Sequence, residues 1–255
     1  MAGPLLTAEW RCLALVQYAV DRPRLEPLVP RGTELDLWEG RALVSVVGLR
    51  FLHARLLGVP VPFHRDFDQV NFRFYVRRVV PEEGGALRRG VVFIREMVPR
   101  RILALVARWG LNEPYLVAPI RHVIDMDRAL AGAPGRIRYE WHRHGRWQSL
   151  EAETEGLPAQ VVPDSEAEFI TERPWGYTSQ RDGSCLEYHV CHPRWRVWAV
   201  RRAALDGDAL PPFGAQSATP FRQPPISAFV AEGSPAAMFR PHKLREASSR
   251  TRSLL

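Results

Sequence analysis

A carboxylate stands beside one arginine inside a largely apolar run: Glu96, in Val91-Val92-Phe93-Ile94-Arg95-Glu96-Met97-Val98. A charge buried in such a setting costs several kcal/mol unless it is paired, so it needs a partner. The preceding run, Val70-Asn71-Phe72-Arg73-Phe74-Tyr75-Val76-Arg77, puts Val70, Phe72, Phe74 and Val76 on one strand face and Asn71, Arg73, Tyr75 and Arg77 on the other. If the two runs pair and the face of Val92, Ile94 and Glu96 turns inward, Arg73 or Arg77 is the expected partner of Glu96. Such a pair can grip a polar ligand, with Arg73 and Asn71 as contacts, or it can be a structural ion pair at a rim. His192, in Cys-His-Pro-Arg-Trp, offers a neutral imidazole whose ordinary pKa of roughly 6.5 suits proton transfer. The competing reading is a histidine that closes a hydrogen bond where a strand bends before proline.

Other chemistries find little support. Of 35 basic residues only Lys243 is a lysine, and it falls in the last stretch of the chain. His142 and His144 flank a basic turn with no carboxylate or thiolate to complete a metal set, and His189 and His192 need not converge on an extended chain. No metal and no cofactor is expected. There is no serine nucleophile elbow, no phosphate-binding glycine loop and no dinucleotide fingerprint. Cys12, Cys185 and Cys191 have no CxxC spacing and cannot all pair, so they read as reduced, buried thiols.

The net charge of +7 raises the question of nucleic acid, but acidic residues are interleaved with the arginines along the whole chain, so no nucleic-acid partner is expected. No apolar run reaches membrane-spanning length and no secretory leader pattern opens the chain, so the expected setting is cytoplasmic, without a membrane partner. A homodimer is left open.

The elements that would position these groups are mostly strands. Residues 67–80 and 90–98 form the clearest hairpin, around a turn at 81–85; 35–38 and 42–49 flank a tight turn at Glu39-Gly40; 135–141 and 146–154 make another pair. Asp21 is placed to cap a short helix to Leu28, Pro99 to open one to about Trp109, and Asp164 or Ser165 to start one that stops at Pro174. Residues 206–225 read as a long connection, 226–231 as a last strand, and 243–255 as a disordered tail after a single domain over 1–242. Many short strands with few helices argue for a closed or partly closed antiparallel barrel.

Three stretches go beyond a generic β pattern. They are WRCLALVQYAVDRPRLEPLVPRGTELDLWEGRALVSVVGLRF with FDQVNFRFYVR, then VVFIREMVPRRILALVARWGLNEPYLVAPI, then FITERPWGYTSQRDGSCLEYHVCHPRWRVW. In order and spacing they resemble the YqjF-like family of bacterial proteins of unknown function, within the acetoacetate-decarboxylase-like superfamily. The most specific parts are the NEPY element and the TER…Y…HP.W element. The resemblance implies a mainly β fold in which a bent antiparallel sheet closes into a barrel with an internal pocket. Decarboxylases of the superfamily carry a Schiff-base lysine on a segment reading Glu-Pro-Lys-Lys or similar; here Asn112-Glu113-Pro114-Tyr115-Leu116 stands in its place. Tyrosine cannot form the iminium electron sink and arginine stays protonated, so Schiff-base decarboxylation is not expected.

The resemblance also implies that Glu113 and Tyr115 line the pocket, the first as acid or base and the second as donor to a carbonyl oxygen. The alternative is a turn whose Glu caps backbone amides. Glu172 and Tyr177 enter as ligand contacts through the second element, against a helix end that simply docks on the sheet. The sequence therefore points to a small-molecule-binding barrel. One form is a lysine-independent acid–base enzyme of isomerase, hydratase, cyclase or lyase type, acting on a carbonyl-containing or polar compound through Glu113, Tyr115 and Glu96. The other is a carrier or sensor with the same pocket.

Overall fold

The alternation over 67–80 forms strand β5 (Phe67–Val80), and a 3-10 turn at Pro81–Glu83 returns the chain as β6 (Ala86–Val98). The computed structural model describes residues 3–61, 65–99, 112, 114–207 and 219–244. Around this hairpin lie β1 (Leu6–Val20), β2 (Glu34–Leu35), β3 (Ala42–Leu56) and β4 (Val59–Pro60). The later strands are β7 (Tyr115–Val117), β8 (Ile120–Asp125), β9 (Arg136–Arg143), β10 (Arg146–Gln160), β11 (Trp175–Ser179), β12 (Cys185–Cys191), β13 (Arg196–Asp206), β14 (Ser227–Met238) and β15 (His242–Lys243). The α-helices among the described residues are short: α1 (Arg22–Leu25), α2 (Glu166–Thr171) and α3 (Thr219–Arg222).

The strands run β12-β11-β6-β5-β3-β1-β14, and a pairing of β12 with β14 closes these seven into a ring. From β14 the sheet continues through β13, β10, β9 and β8. Pairing is antiparallel except that β6 runs parallel to both β7 and β11. Phe72, Phe74 and Tyr18 pack with Tyr139, Trp141 and Trp198 of the extension in one core, whereas Leu15, Val47, Phe51 and Tyr75 belong to a second. Gly48 on β3 lets the extension approach: a Cβ there would lie 2.2 Å from the Tyr139 ring. The Tyr139 hydroxyl, buried with that ring, donates to the Cys12 carbonyl at 2.8 Å, so β9 is locked onto β1.

Several expectations need correction. Asp21 makes no side-chain cap; its carboxylate lies 3.3 Å from Arg24 Nε instead. Lys243 is not in a tail: it pairs in β15 with Leu186 of β12, and its Nζ donates to Asp182 at 2.7 Å. Cys191 is exposed rather than buried, while Cys185 is buried and Cys12 half-buried, all three as free thiols. The expected helix over 99–109 lies, apart from Pro99, outside the described residues, as do 245–255. Among the described residues no helix is long and apolar enough to cross a membrane.

Candidate functional site

Strands β5 and β6 pair with Asn71 opposite Glu96 and Phe72 opposite Arg95, then slip by one residue, so that Arg73 faces Phe93 and Ile94 is the extra residue. The bulge decides which way the carboxylate turns. An uninterrupted strand would put Glu96 with Ile94 and Val92; here those two enter the core against the extension, while Glu96 joins Phe93 and Val91 on the other face. The inward face is therefore not the one expected from the alternation.

On that face, inside the ring, lies a cavity of about 160 Å³. Glu96 is 2% exposed and accepts a 2.8 Å hydrogen bond from Gln69 Nε2 on the adjacent strand. Gln69 thus takes the role expected of Arg73 or Arg77. Arg77 instead pairs with Glu34 at 2.8 Å away from the cavity. Parallel pairing of β7 with β6 places Tyr115 opposite Glu96, and Glu96 N donates to the Pro114 carbonyl at 3.2 Å. The Asn112 side chain anchors the same turn to the Ser179 carbonyl at 2.9 Å. Tyr115 lines the cavity together with Glu96, Gln69, Asn71 and Arg73. Glu113 lies outside the described residues.

Helix α2 supplies the other polar wall. Ser165 caps it by accepting from Glu168 N at 3.2 Å, and Glu166 and Glu168 in the first turn suit its N-terminal dipole. At the other end its spare carbonyls meet two guanidinium groups: Arg73 Nη2 donates to Ile170 O at 3.1 Å, and Arg173 Nε donates to Phe169 O. Arg173, its side chain 2% exposed, also pairs through Nη1 with the buried Asp36 at 2.5 Å and lies over the Phe169 ring, 3.9 Å from its centroid. Burial pulls its pKa down, and Asp36 opposes that shift. Asp36 is further approached by Arg89 at 3.7 Å.

His192 lines the cavity where it meets a second, outer one shared with Arg173, Trp175 and Val190. Its ring stacks on Trp195 at 4.1 Å, and its Nδ1–H donates to the Pro193 carbonyl at 2.9 Å, which leaves Nε2 as the acceptor of a neutral ring. Burial lowers its pKa below the ordinary value, and Arg73 adds to the lowering, against opposing effects of the Pro193 carbonyl and Glu172. Glu172 itself lines only the outer cavity, with Arg194 Nε at 3.9 Å. Tyr177 is elsewhere: it packs in the core against Gly90 and beside Glu187, a fully buried carboxylate held by Arg88, Arg78 and His242.

Aromatic rings complete the cavity. Phe51 and Phe67 stack at 4.6 Å, Trp10 meets Phe51 edge-on, and Trp175 and Trp195 close the wall near His192. Asn71 Oδ1, Arg73 Nε and Arg173 Nη2, all on lining residues, are among the atoms sealed from water that have no hydrogen-bond partner among the described residues. Gln69 was not singled out from sequence, and Arg173 was grouped with Glu172 and Tyr177 without being assigned as a contact. Arg173 stands in the TER element, and Gln69 shares the period-two face of Asn71 and Arg73, so both carried a readable signal.

A ring of strands around a cavity with this connectivity is the acetoacetate-decarboxylase-like fold. An acetoacetate decarboxylase-like enzyme from Sphingomonas wittichii RW1 superposes with a TM-score of 0.65 at 12% identity, covering 96% of this chain and 94% of that one. The enduracididine biosynthesis enzyme MppR, complexed with pyruvate, gives 0.64 at 14% identity, over 97% and 93%. Acetoacetate decarboxylase from Legionella pneumophila subsp. pneumophila str. Philadelphia 1 gives 0.63 at 14% identity, over 96% and 88%. At such identities the likeness establishes the fold alone. The chain belongs to the DUF2071 family of uncharacterized conserved proteins, whose pattern matches residues 7–235. Within reach of sequence comparison it is similar to the uncharacterized protein YqjF of Bacillus subtilis (strain 168), 26% identical over 203 residues, which are 79% of this chain and 77% of that one.

Proposed function

We propose that this protein binds a small carbonyl-containing compound in the ring cavity and moves a proton on it without a Schiff base, as an isomerase-, hydratase-, cyclase- or lyase-type enzyme. The observation that carries the reading is Glu96, a carboxylate buried in the cavity wall and held by Gln69 at 2.8 Å, with Tyr115 paired opposite it. In this scheme Glu96 takes a proton from the carbon next to the carbonyl. The Tyr115 hydroxyl donates to the oxygen on which charge then develops. Glu96 assumes the proton-carrying role that sequence reasoning gave to Glu113.

The chemistry of amines supports the absence of an imine step. Lys243, the sole lysine of the chain, is exposed on β15, bonded to Asp182 and not among the residues lining the cavity. MppR in complex with pyruvate is a neighbour in fold that holds a small carbonyl compound, which is consistent with the same use of the cavity here.

The test follows deuterium incorporation by mass spectrometry when the protein is incubated in D2O with 4-phenyl-2-butanone and with 4-oxopentanoate. Exchange next to the carbonyl should be faster than in buffer and should fall by about 10²–10⁴ in Glu96→Gln, the usual span for a general base. Exchange that is unaffected in a folded Glu96→Gln variant would overturn the role of Glu96. Absence of exchange, with a metabolite released unchanged from the purified protein, would make the barrel a carrier.

A further inference from the structure

Resting on the binding reading above, we infer that the cavity selects a monocarboxylate with an apolar body about the size of a benzene ring, its carboxylate held between Arg73 and Arg173. Two independent features meet in this assignment, one polar and one steric.

The polar feature is a pair of unused donors. Arg173 commits Nη1 to Asp36 and Nε to a helix carbonyl, yet Nη2 is buried without a partner. Arg73 meets only the Ile170 carbonyl and the Tyr75 ring among the described residues, and its Nε is likewise buried and unpartnered. Leaving a buried N–H unsatisfied costs about 1–3 kcal/mol, and more for a charged group, so two such donors on side chains that line one cavity would gain from a ligand acceptor toward which a small rotation of each guanidinium turns them. A planar carboxylate presents two oxygens to such donors. The Asp36 charge offsets Arg173, so among the described residues Arg73 is the lining guanidinium without a carboxylate partner. With Glu96 on the same wall, a second negative charge on the ligand would meet no further guanidinium among the described lining residues, which favours one charge over two.

The steric feature is the rest of the wall. Away from its polar side chains the cavity is bounded by apolar groups, Leu13, Leu49, Phe51, Phe67 and Met238 among them. Its volume of about 160 Å³ is close to the ~150 Å³ of an apolar cavity that takes a benzene ring. A ligand with only a methyl group beyond its carboxylate would leave most of that wall without contact.

Titrations of the native protein decide the matter, read by intrinsic fluorescence because Trp10, Trp175 and Trp195 line the cavity. Phenylacetate should bind at least about tenfold more tightly than acetate, which lacks the ring, and than phenylacetamide, which lacks the charge. In the double variant Asp36→Asn with Arg173→Gln, chosen so that neither partner is left as a lone buried charge, the preference for phenylacetate over its amide should shrink several-fold. Equal affinity for acetate and phenylacetate overturns the apolar body, and equal affinity for phenylacetate and its amide in the native protein overturns the carboxylate clamp. Either result can coexist with Glu96-dependent exchange on 4-phenyl-2-butanone, so failure of this inference is distinguishable from failure of the catalytic reading.

Discussion

Asp36 and Arg173 form a buried ion pair at 2.5 Å, although 137 residues separate them in sequence. The pair ties the segment after β2 to the end of helix α2 and sets the height of the guanidinium over Tyr75 and Phe169. Breaking it from one side leaves the other charge buried without its main partner, with only Arg89 farther off at 3.7 Å from Asp36 among the described residues. Asp36→Leu or Arg173→Met alone should each cost about 3–5 kcal/mol in urea unfolding, whereas the double substitution should cost much less than their sum. Additive losses would show that the two charges do not depend on each other.

Gly48 is a packing requirement rather than a turn. Its missing Cβ is the space into which Tyr139 fits, and Tyr139 cannot swing away without losing its bond to Cys12. Gly48→Ala should destabilise the fold by about 1–3 kcal/mol or more, because both neighbours are inflexible. Tyr139→Leu in the Gly48→Ala background should recover part of that loss in thermal unfolding. No recovery would place the strain elsewhere.

His192 titrates against its burial. Its folded pKa is lowered, so below the unfolded value of roughly 6.5 the unfolded chain binds the proton more readily, and the contribution of His192 is complete above that pH. As pH falls through the folded value, that contribution is lost. His192→Gln should therefore narrow its stability difference from the native protein on acidification from pH 7 to 5, as followed by urea midpoints. A difference independent of pH would contradict a buried neutral ring.

The thiols should separate cleanly. Burial pushes Cys185 up to about 12, and burial also raises Cys12, whereas Cys191 is exposed at the outer cavity. At pH 8 a chromogenic disulfide reagent should label one thiol rapidly in the native protein. Cys191→Ser should remove that phase, and Cys185 should react only after denaturation. Rapid labelling that persists in Cys191→Ser would contradict the shielding of Cys12 and Cys185.

Local pattern carried much of the architecture. The period-two alternation from Val70 to Arg77 is a property of a pleated strand wherever it sits, so β5 was legible over its full length and Asn71 and Arg73 were assigned to one face. That the chain has a single lysine, Lys243, is a matter of composition and needed no coordinates either. The NEPY and TER elements pointed to the right family because order and spacing survive when most side chains change.

What tertiary structure decided is everything that depends on register and on distant pairing. One extra residue, Ile94, turns Glu96 from the face of Val92 to the cavity, and a bulge leaves no mark in a two-residue period. Gln69 meets that carboxylate because the slip sets which residues lie across the strands. Asp36 reaches Arg173 only when the ring closes, and Lys243 is held in β15 only because β12 offers it an edge. Side-chain type is local information, but the partner of a buried charge is fixed by which strands the closed sheet brings side by side.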